Sequence, residues 1–515
     1  MSSRTKNTLL NLVSKLGVSM IVTLLGFFTR RVFVDNIGIE YVGLNGVLKN
    51  VLGIMSLLEG GFATSVVYNM YKPLAEDDKP KILALLQLYK KVYRFIALGV
   101  ALLGVAFYPF LGFFLKGDEA ITDVGLIYFI FLFNSIINYL SAYKWSLINA
   151  SQLGYKLTTV NLVYQVSVTV SKLAILYYTK NYILFLLVEA VCNILYNVAV
   201  VKKADSLFPF VRTTYQYKVD IDVKKRIIDN VKSLFINRVG GFFMHSTDNL
   251  LITYFASIAT AGLYSNYTLI TGLVKSAIDQ VFDSYSESVG NLIASENSDK
   301  VYSVFKSCLF ISFVLISIPI IVLFNSITPL IDWWLGPKYR MADLTIALVF
   351  VNFYVDRIRS TALTFKTKAG LFSYDRWTPF LQGVINLFLS IILGKKYGIN
   401  GVLAATAISI LSIGFWQFPR LCYKYIFRRS LSDYFKKILF YTLVGFFSLF
   451  ISKCICSFFG VIDMPFIRLA ACVVATSFVV LFVYYLAFHR LEEFKELILY
   501  LKNATNLLIG PRNCS

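Results

Sequence analysis

Residues 231–294 read VKSLFINRVGGFFMHSTDNLLITYFASIATAGLYSNYTLITGLVKSAIDQVFDSYSESVGNLIA. The stretch predicts two long apolar helices joined by a short turn near Ile258–Gly262. Each is long enough to cross a bilayer, yet together they carry Arg238, His245, Asp248, Lys275, Asp279, Asp283 and Glu287. Ionisable groups at membrane depth are costly and are kept where they face water, a partner or a substrate. An unbroken first helix puts Arg238, His245 and Asp248 on one side, and the second steps Lys275, Asp279, Asp283 and Glu287 by four along one stripe. Two spans with charged stripes require a polar interior. Alternatively, Lys275 and Asp279 neutralise each other as an i,i+4 pair, and Glu287 and Asp283 are interfacial.

Working outward, the whole chain has the same character. Charged residues make up 15% and AVILMFWYC 57%, against about 25% and 45–50% in soluble proteins. Apolar blocks of bilayer-spanning length repeat end to end. Backbone satisfaction in lipid restricts spanning elements to helices or closed barrels, and the runs are too long for barrel strands. The sequence therefore predicts an all-α polytopic membrane protein with fourteen transmembrane helices. Their expected bounds are 9–34, 41–68, 90–115, 122–143, 157–178, 182–201 and 233–256. The remaining seven are 262–289, 304–325, 341–364, 376–394, 399–421, 436–456 and 464–488.

Fifty basic against 29 acidic residues give a net charge of +21, and its distribution is a topology signal. Connections on one side of the alternation hold thirty-five Arg and Lys, those on the other seven. That bias places both termini in the cytoplasm and leaves nucleic-acid binding no role, with attraction to anionic membrane lipids secondary. The first span is not read as a cleaved signal peptide, because no small-x-small site precedes Arg30-Arg31. Seven cysteines show no metal-cage or disulfide spacing.

The longest connection, 202–232, is basic and divides the chain. Its segment FPFVRTTYQYKVDIDVKKRI is expected partly along the cytoplasmic surface, with Phe208, Phe210 and Tyr215 toward lipid; a plain hydrated linker is the alternative. The halves share a short motif: Ile39-Glu40-Tyr41-Val42-Gly43-Leu44 recurs 219 residues later as Ile258-Ala259-Thr260-Ala261-Gly262-Leu263. Six spans on each side imply parallel, pseudo-symmetric repeats. The expected domains are a six-helix bundle (1–201), the linker (202–232), a second six-helix bundle (233–426), and helices 13 and 14 with a tail (427–515).

Lys49, Lys172, Arg238 and Lys275 lie too deep in spans to snorkel, whereas Lys15, Arg31 and Arg468 can reach a surface. Glu59, Glu189, Asp248, Asp279 and Asp356 dilute this basic lining. A basic chamber where two halves meet suits an anionic cargo, a phosphate or diphosphate, with Arg offering forked donors and Lys a point charge. Polar residues within spans, such as Asn45, Asn134, Asn138, Asn249 and Asn386, serve either interhelical hydrogen bonds or sugar hydroxyls. Gly241 lacks a phosphate-loop context, which argues against ATP-driven transport by this chain. Two histidines, His245 and His489, form no metal cluster.

GIEYVGLNGVLKNVLGIMSLLEGG (38–61), YNMYKPLAEDD (68–78), STDNLLI (246–252), GLYSNYTLI (262–270), SESVGNLIA (286–294) and AGLFSYDRWTPFLQGVINLFLS (369–390) keep the order seen in a known family. In these stretches the chain resembles the bacterial polysaccharide transporter family, the oligosaccharide-lipid flippases of the multidrug/oligosaccharidyl-lipid/polysaccharide exporter superfamily. The resemblance implies a non-enzymatic, multi-pass protein of the bacterial cytoplasmic membrane, with two bundles in a V alternately open to each face. The implied cargo is a polyprenyl-diphosphate-linked oligosaccharide, flipped from the inner to the outer leaflet for capsule, O-antigen or a similar glycan. Glycan polymerase and glycosyltransferase machinery are the implied partners. Arg30, Arg31, Lys49, Arg238 and Lys275, with Asn249, are the expected cargo contacts. Glu59, Asp248, Asp279 and Asp356 are the candidates for counter-ions or for H⁺ or Na⁺ coupling, and no other cofactor is expected. The alternatives are a lipid II-type precursor flippase and a cation-coupled drug or metabolite antiporter of the same fold. A glycan ligase or polymerase would need a large extracytoplasmic loop that the sequence lacks.

Overall fold

The computed structural model describes residues 22, 25–114, 121–375 and 377–499. Most of the expected first span, including Lys15, lies outside the described residues, as do the side chains of His245, Asp283 and Glu287. Every regular element among the described residues is helical, as backbone satisfaction in lipid requires. Two compact units divide at Ser265/Asn266. The first holds α1 (25–36), α2 (Ile39–Ser56), α3 (Phe62–Ala75), α4 (Lys79–Phe107), α5 (Leu111–Phe114) and α6 (Val124–Ala150). It continues with α7 (Thr158–Tyr178), α8 (Tyr182–Leu207), α9 (Ile221–His245) and α10 (Asp248–Phe255), and α11 (Ile258–Ser295) begins in it. The second unit holds the rest of α11, then α12 (Ser298–Trp334), α13 (Asp343–Ile358), α14 (Ser360–Lys368) and α15 (Thr378–Ser409). Its remaining helices are α16 (Phe415–Leu421), α17 (Ser432–Phe458), α18 (Pro465–Phe488) and α19 (492–499).

Nine helices among the described residues are long and apolar enough to cross a membrane. They correspond to expected spans 2–6, 9, 13 and 14, and to spans 11 and 12 together. That last pair forms one helical run broken at Gly398, whose φ of 57° is left-handed. Asn386 Nδ2 donates to Thr406 Oγ1 at 3.0 Å, although twenty residues of straight helix would separate them by about 30 Å. The run therefore doubles back as an antiparallel pair. Spans 7, 8 and 10 are helical but fall outside that set of long apolar helices; α13, in span 10, has only 16 residues.

Two expectations are corrected. Span 2 breaks at Gly60 and Gly61, both left-handed; Leu234 of α9 lies where a Gly61 side chain would stand. Span 7 is not one helix, because α9 starts at Ile221, twelve residues earlier than expected, and stops at His245 before α10. Arg238 and Asp248 thus sit on separate helices, and the argument from an unbroken helix fails for them. Phe208 is half-buried and packs against a small core of Ile148, Leu157, Val200 and Ala204. Tyr215 is exposed.

In the first unit α4 packs on α6, α6 on α8, and α8 on α7. A polar ladder joins α6 to α8: Asn193 donates to Asn134, Asn197 to Asn138, and buried Lys144 pairs with Asp205. For Asn134 and Asn138 the interhelical role holds. The repeated motif has a direct structural meaning. A Cβ built on Gly43 would lie 2.0 Å from Ile258 O, and one on Gly262 would lie 2.3 Å from Ile39 O. Each copy's glycine thus receives the other copy's isoleucine carbonyl, a reciprocal crossing of α2 and α11 of the kind a two-fold relation produces.

In the second unit α12 is the central helix, packed by α13, α17 and α18. Its Phe305, Phe310 and Phe313 meet Tyr441, Tyr484 and Phe488 in one aromatic core. Tyr484 donates to Ser317 at 2.8 Å. Helix α19 is latched below this core by Lys437–Glu493 at 2.6 Å and Ser307–Glu496. Burial alone would raise the Glu493 carboxyl, but the hydrogen bonds from Lys437 and from its own backbone amide, with the charges of Lys437 and Lys306, together hold the group below its ordinary value.

Gly43→Ala should destabilise the folded protein by about 1–3 kcal/mol or more through overpacking. Gly241→Ala, with nothing within 4 Å of the added methyl, should leave the melting temperature in detergent unchanged. A depressed carboxyl contributes stability above its unfolded pKa and loses it as pH falls through the folded value. The melting temperature should therefore drop as pH falls below the ordinary carboxylate range, and Glu493→Gln should flatten that drop.

Candidate functional site

The first unit gathers charge from four helices. Lys49, on α2, lies within electrostatic reach of Arg30 on α1, Lys172 on α7 and Glu189 on α8. Glu189 is the one attractive neighbour; Arg30 and Lys172 repel. Lys172 pairs with Glu189 and sits 4.4 Å from the Phe185 ring centroid. Phe185 in turn packs with Phe33 and Tyr182. Tyr182 Oη donates to Asn45 Oδ1 at 2.6 Å, tying α8 to α2 beside the cluster. Arg30 Nη2 reaches Ser265 Oγ at 3.4 Å. Lys49 remains accessible. Three cations against one carboxylate leave a local excess of positive charge, which suits forked and point-charge recognition of an anion.

A second charge pair lies at another level of the same unit. Arg238 Nη1 meets Glu59 Oε2 at 3.3 Å, with the arginine 39% and the glutamate 16% exposed. Glu59 follows Lys49 by ten residues, about 15 Å along a helical path. Tyr89, Tyr93 and Tyr139 line up beside this carboxylate. Asn249, on α10, has its amide beside Gly46, and its Oδ1 is buried without a hydrogen-bond partner among the described residues. Asp248 is buried and within electrostatic reach of Tyr264. Arg31 is placed apart: it pairs with Asp35 at 3.8 Å, both more than half exposed.

The second unit holds a different arrangement. Arg357 bridges Asp279 of α11 at 2.6 Å and Asp356. Arg359 binds Asp356 at 2.9 Å and Gln382 of α15 at 3.1 Å, and lies over Phe418. Lys366, also over Phe418, pairs with Asp375, and both are buried. Asp279 therefore does not pair with Lys275; its partner comes from α13. Lys275 itself is half-buried.

Sequence reasoning missed Arg357, Arg359 and Lys366, which it counted among loop cations. The signal was there: Asp356-Arg357-Ile358-Arg359 directly follows an apolar run, so these charges belong to a helix end. Glu189 was noted as a membrane carboxylate, but only the fold joins it to Lys172, seventeen residues away.

No family model and no curated protein matches the chain. Solved structures do. The lipid II flippase MurJ, in an inward closed conformation, superposes with a TM-score of 0.67 at 14% identity, over 93% of this chain and 99% of that one. An inward-facing multidrug resistance MATE family transporter of the MOP superfamily gives 0.54 at 13%, over 80% and 98%. A MOP superfamily transporter from Pyrococcus furiosus, described by a binding pocket of reverse polarity, gives 0.56 at 12%, over 81% and 96%. The chain thus has the fold that these structures share, and the expected resemblance holds at the level of fold. The three are described as a flippase and two transporters.

Removing one partner of a buried pair strands the others, at about 3–5 kcal/mol. Arg357→Gln should therefore cost several times more stability, read as detergent melting temperature, than Arg31→Gln, whose exposed pair is worth at most about 1 kcal/mol.

Proposed function

We propose that this chain is an alternating-access flippase that carries a polyprenyl-diphosphate-linked saccharide from the inner to the outer leaflet of the bacterial cytoplasmic membrane. The observation that carries the reading is the uncompensated cluster of Arg30, Lys49 and Lys172 around Glu189. Cations left in excess within spans are expensive, and a diphosphate is the ligand that offsets them. A drug antiporter for cationic cargo would need the opposite balance. Arg238 and Lys275 are further cargo contacts in this proposal, with Asn249 and Arg31 at the periphery. Glu59, Asp248, Asp279 and Asp356 act as counter-ions or as sites of H⁺ or Na⁺ coupling.

Two forms of cargo fit. The likeness to a lipid II flippase over 93% of the chain supports a cell-wall precursor of the lipid II type. The stretches shared with the polysaccharide transporter family support a longer oligosaccharide repeat unit for capsule or O-antigen, handed on to polymerase machinery. The likeness to the lipid II flippase favours the first. Spans 7, 8 and 10 count as crossings in this proposal, because polar interiors tolerate their charge. Fourteen crossings then form two six-helix bundles (1–201 and 233–426), the basic stretch 202–232, and helices 13 and 14 within 427–515, with both termini cytoplasmic.

Reconstituted into proteoliposomes, the protein should flip lipid II faster than a polyprenyl-diphosphate oligosaccharide, with or without an imposed H⁺ or Na⁺ gradient. Lys49→Gln and Arg30→Gln should each lower the rate at least tenfold, the expected loss of a charge-assisted contact of about 1.5–3 kcal/mol. Arg31→Gln should stay within twofold. Unchanged rates in the first two variants would remove the cluster from the cargo path, and preference for the longer glycan would reverse the cargo order.

A further inference from the structure

A cavity of the first unit lies away from these clusters. It is a cleft of about 580 Å³ between the end of α3, the start of α4 and the extended segment 213–220 that leads into α9. That volume is within the range of small-molecule sites, about 300–1,000 Å³. Its walls are held by specific hydrogen bonds. Gln87 of α4 clasps the extended segment with both amide groups: Nε2 donates to Tyr215 O at 2.8 Å, and Oε1 accepts from Tyr217 N at 2.9 Å. Ser65 of α3 donates to Ile227 O at 3.3 Å, fixing α9.

Lys72, Lys81, Lys218 and Arg226 line the cleft, against Glu76 and Asp220. Lys72 pairs with Glu76 and Lys81 with Asp78. Lys218 and Arg226 are left as lining cations with no ion pair among the described residues. The α4 N-terminus is not the anion holder, since Asp78 already caps it by accepting from Lys81 N at 3.1 Å. Two exposed tyrosines, Tyr68 and Tyr71, stand among its lining residues. Aromatic rings of this kind settle at headgroup level. Tyr71 also borders an adjoining groove of about 370 Å³ that mixes Leu74, Ile82, Phe208 and Phe210 with Asp77, Ser151 and Gln152.

The geometry points to a binding site for the phosphate headgroup of an anionic phospholipid. Lys218 and Arg226 hold the phosphate in the cleft, and the adjoining groove takes the glycerol backbone and the start of an acyl chain. A free hydrated anion would have no use for the exposed tyrosines or for the apolar side chains of the groove. The site lies among the connections that carry the excess of Arg and Lys, so it faces the anionic lipids of the cytoplasmic leaflet. It rests on the membrane assignment and is independent of the cargo proposed above, because its readout is lipid retention rather than transport.

The test is native mass spectrometry of the full-length protein released from detergent, with phosphatidylglycerol, phosphatidylcholine or inorganic pyrophosphate added. Phosphatidylglycerol should be retained in preference to phosphatidylcholine. Lys218→Gln/Arg226→Gln should weaken retention about fivefold for each charge removed. Lys338→Gln/Lys396→Gln, which removes two cations elsewhere, should change it less than twofold. Lys218→Arg/Arg226→Lys should keep it, separating charge recognition from misfolding. Equal retention of the two lipids, or equal loss in the control pair, would overturn the site. Pyrophosphate binding that depends on Lys218 and Arg226 without phosphatidylglycerol binding would overturn the lipid as its occupant.

Discussion

The close crossing of α2 and α11 is the constraint on which the first unit depends. Two backbones approach until each glycine Cα faces the other copy's isoleucine carbonyl, a separation that any side chain forbids. In lipid there is little hydrophobic drive between helices, so close packing at small residues carries much of their association. The crossing fixes where α2 runs, and α2 carries Lys49 into the charge cluster and Glu59 toward Arg238. A motif of three fixed residues in six is weak as sequence evidence. Its reciprocity in space is much stronger, because chance similarity gives no reason for the two copies to meet.

The helix breaks follow a common logic. Where α2 gives way to α3, two left-handed glycines let α9 come close. Between α9 and α10 the chain breaks at Ser246–Thr247, next to buried Asp248 and half-buried Asn249. Between α13 and α14 it turns at Arg359, whose guanidinium bonds Asp356 and Gln382. Helices here are interrupted where polar side chains need partners other than their own turn. Irregular backbone at membrane depth is tolerated where protein or a polar cavity surrounds it.

This explains how much of the molecule was legible in the sequence. Apolar block length identified the class and most helices, including the reversal at Gly398, because hydropathy reports bilayer thickness directly. Charge counting found membrane-embedded cations, but it could not pair them. Asp279 looked toward Lys275 because i,i+4 is the only geometry a sequence offers, whereas Arg357 reaches it from a helix seventy-eight residues away. Likewise Asn134 and Asn138 read equally well as sugar contacts or interhelical bonds until Asn193 and Asn197 were seen opposite them. Pairing is a property of topology, and topology is carried by few residues.

The two units handle charge in opposite ways, and the difference separates structure from function. In the second unit Asp279, Asp356 and Asp375 balance Arg357, Arg359 and Lys366, each cation bonded to a named carboxylate. Such a network satisfies itself and needs nothing from outside. In the first unit Arg30 and Lys49 have no ion pair among the described residues, and Glu189 is committed to Lys172. Like charges held close at membrane depth raise the energy of the unliganded protein. In the proposed flippase an anionic headgroup would relieve that repulsion, and the cost already present in the fold would add to its binding energy. The same cost would, in that proposal, oppose any state that shields the cluster without cargo.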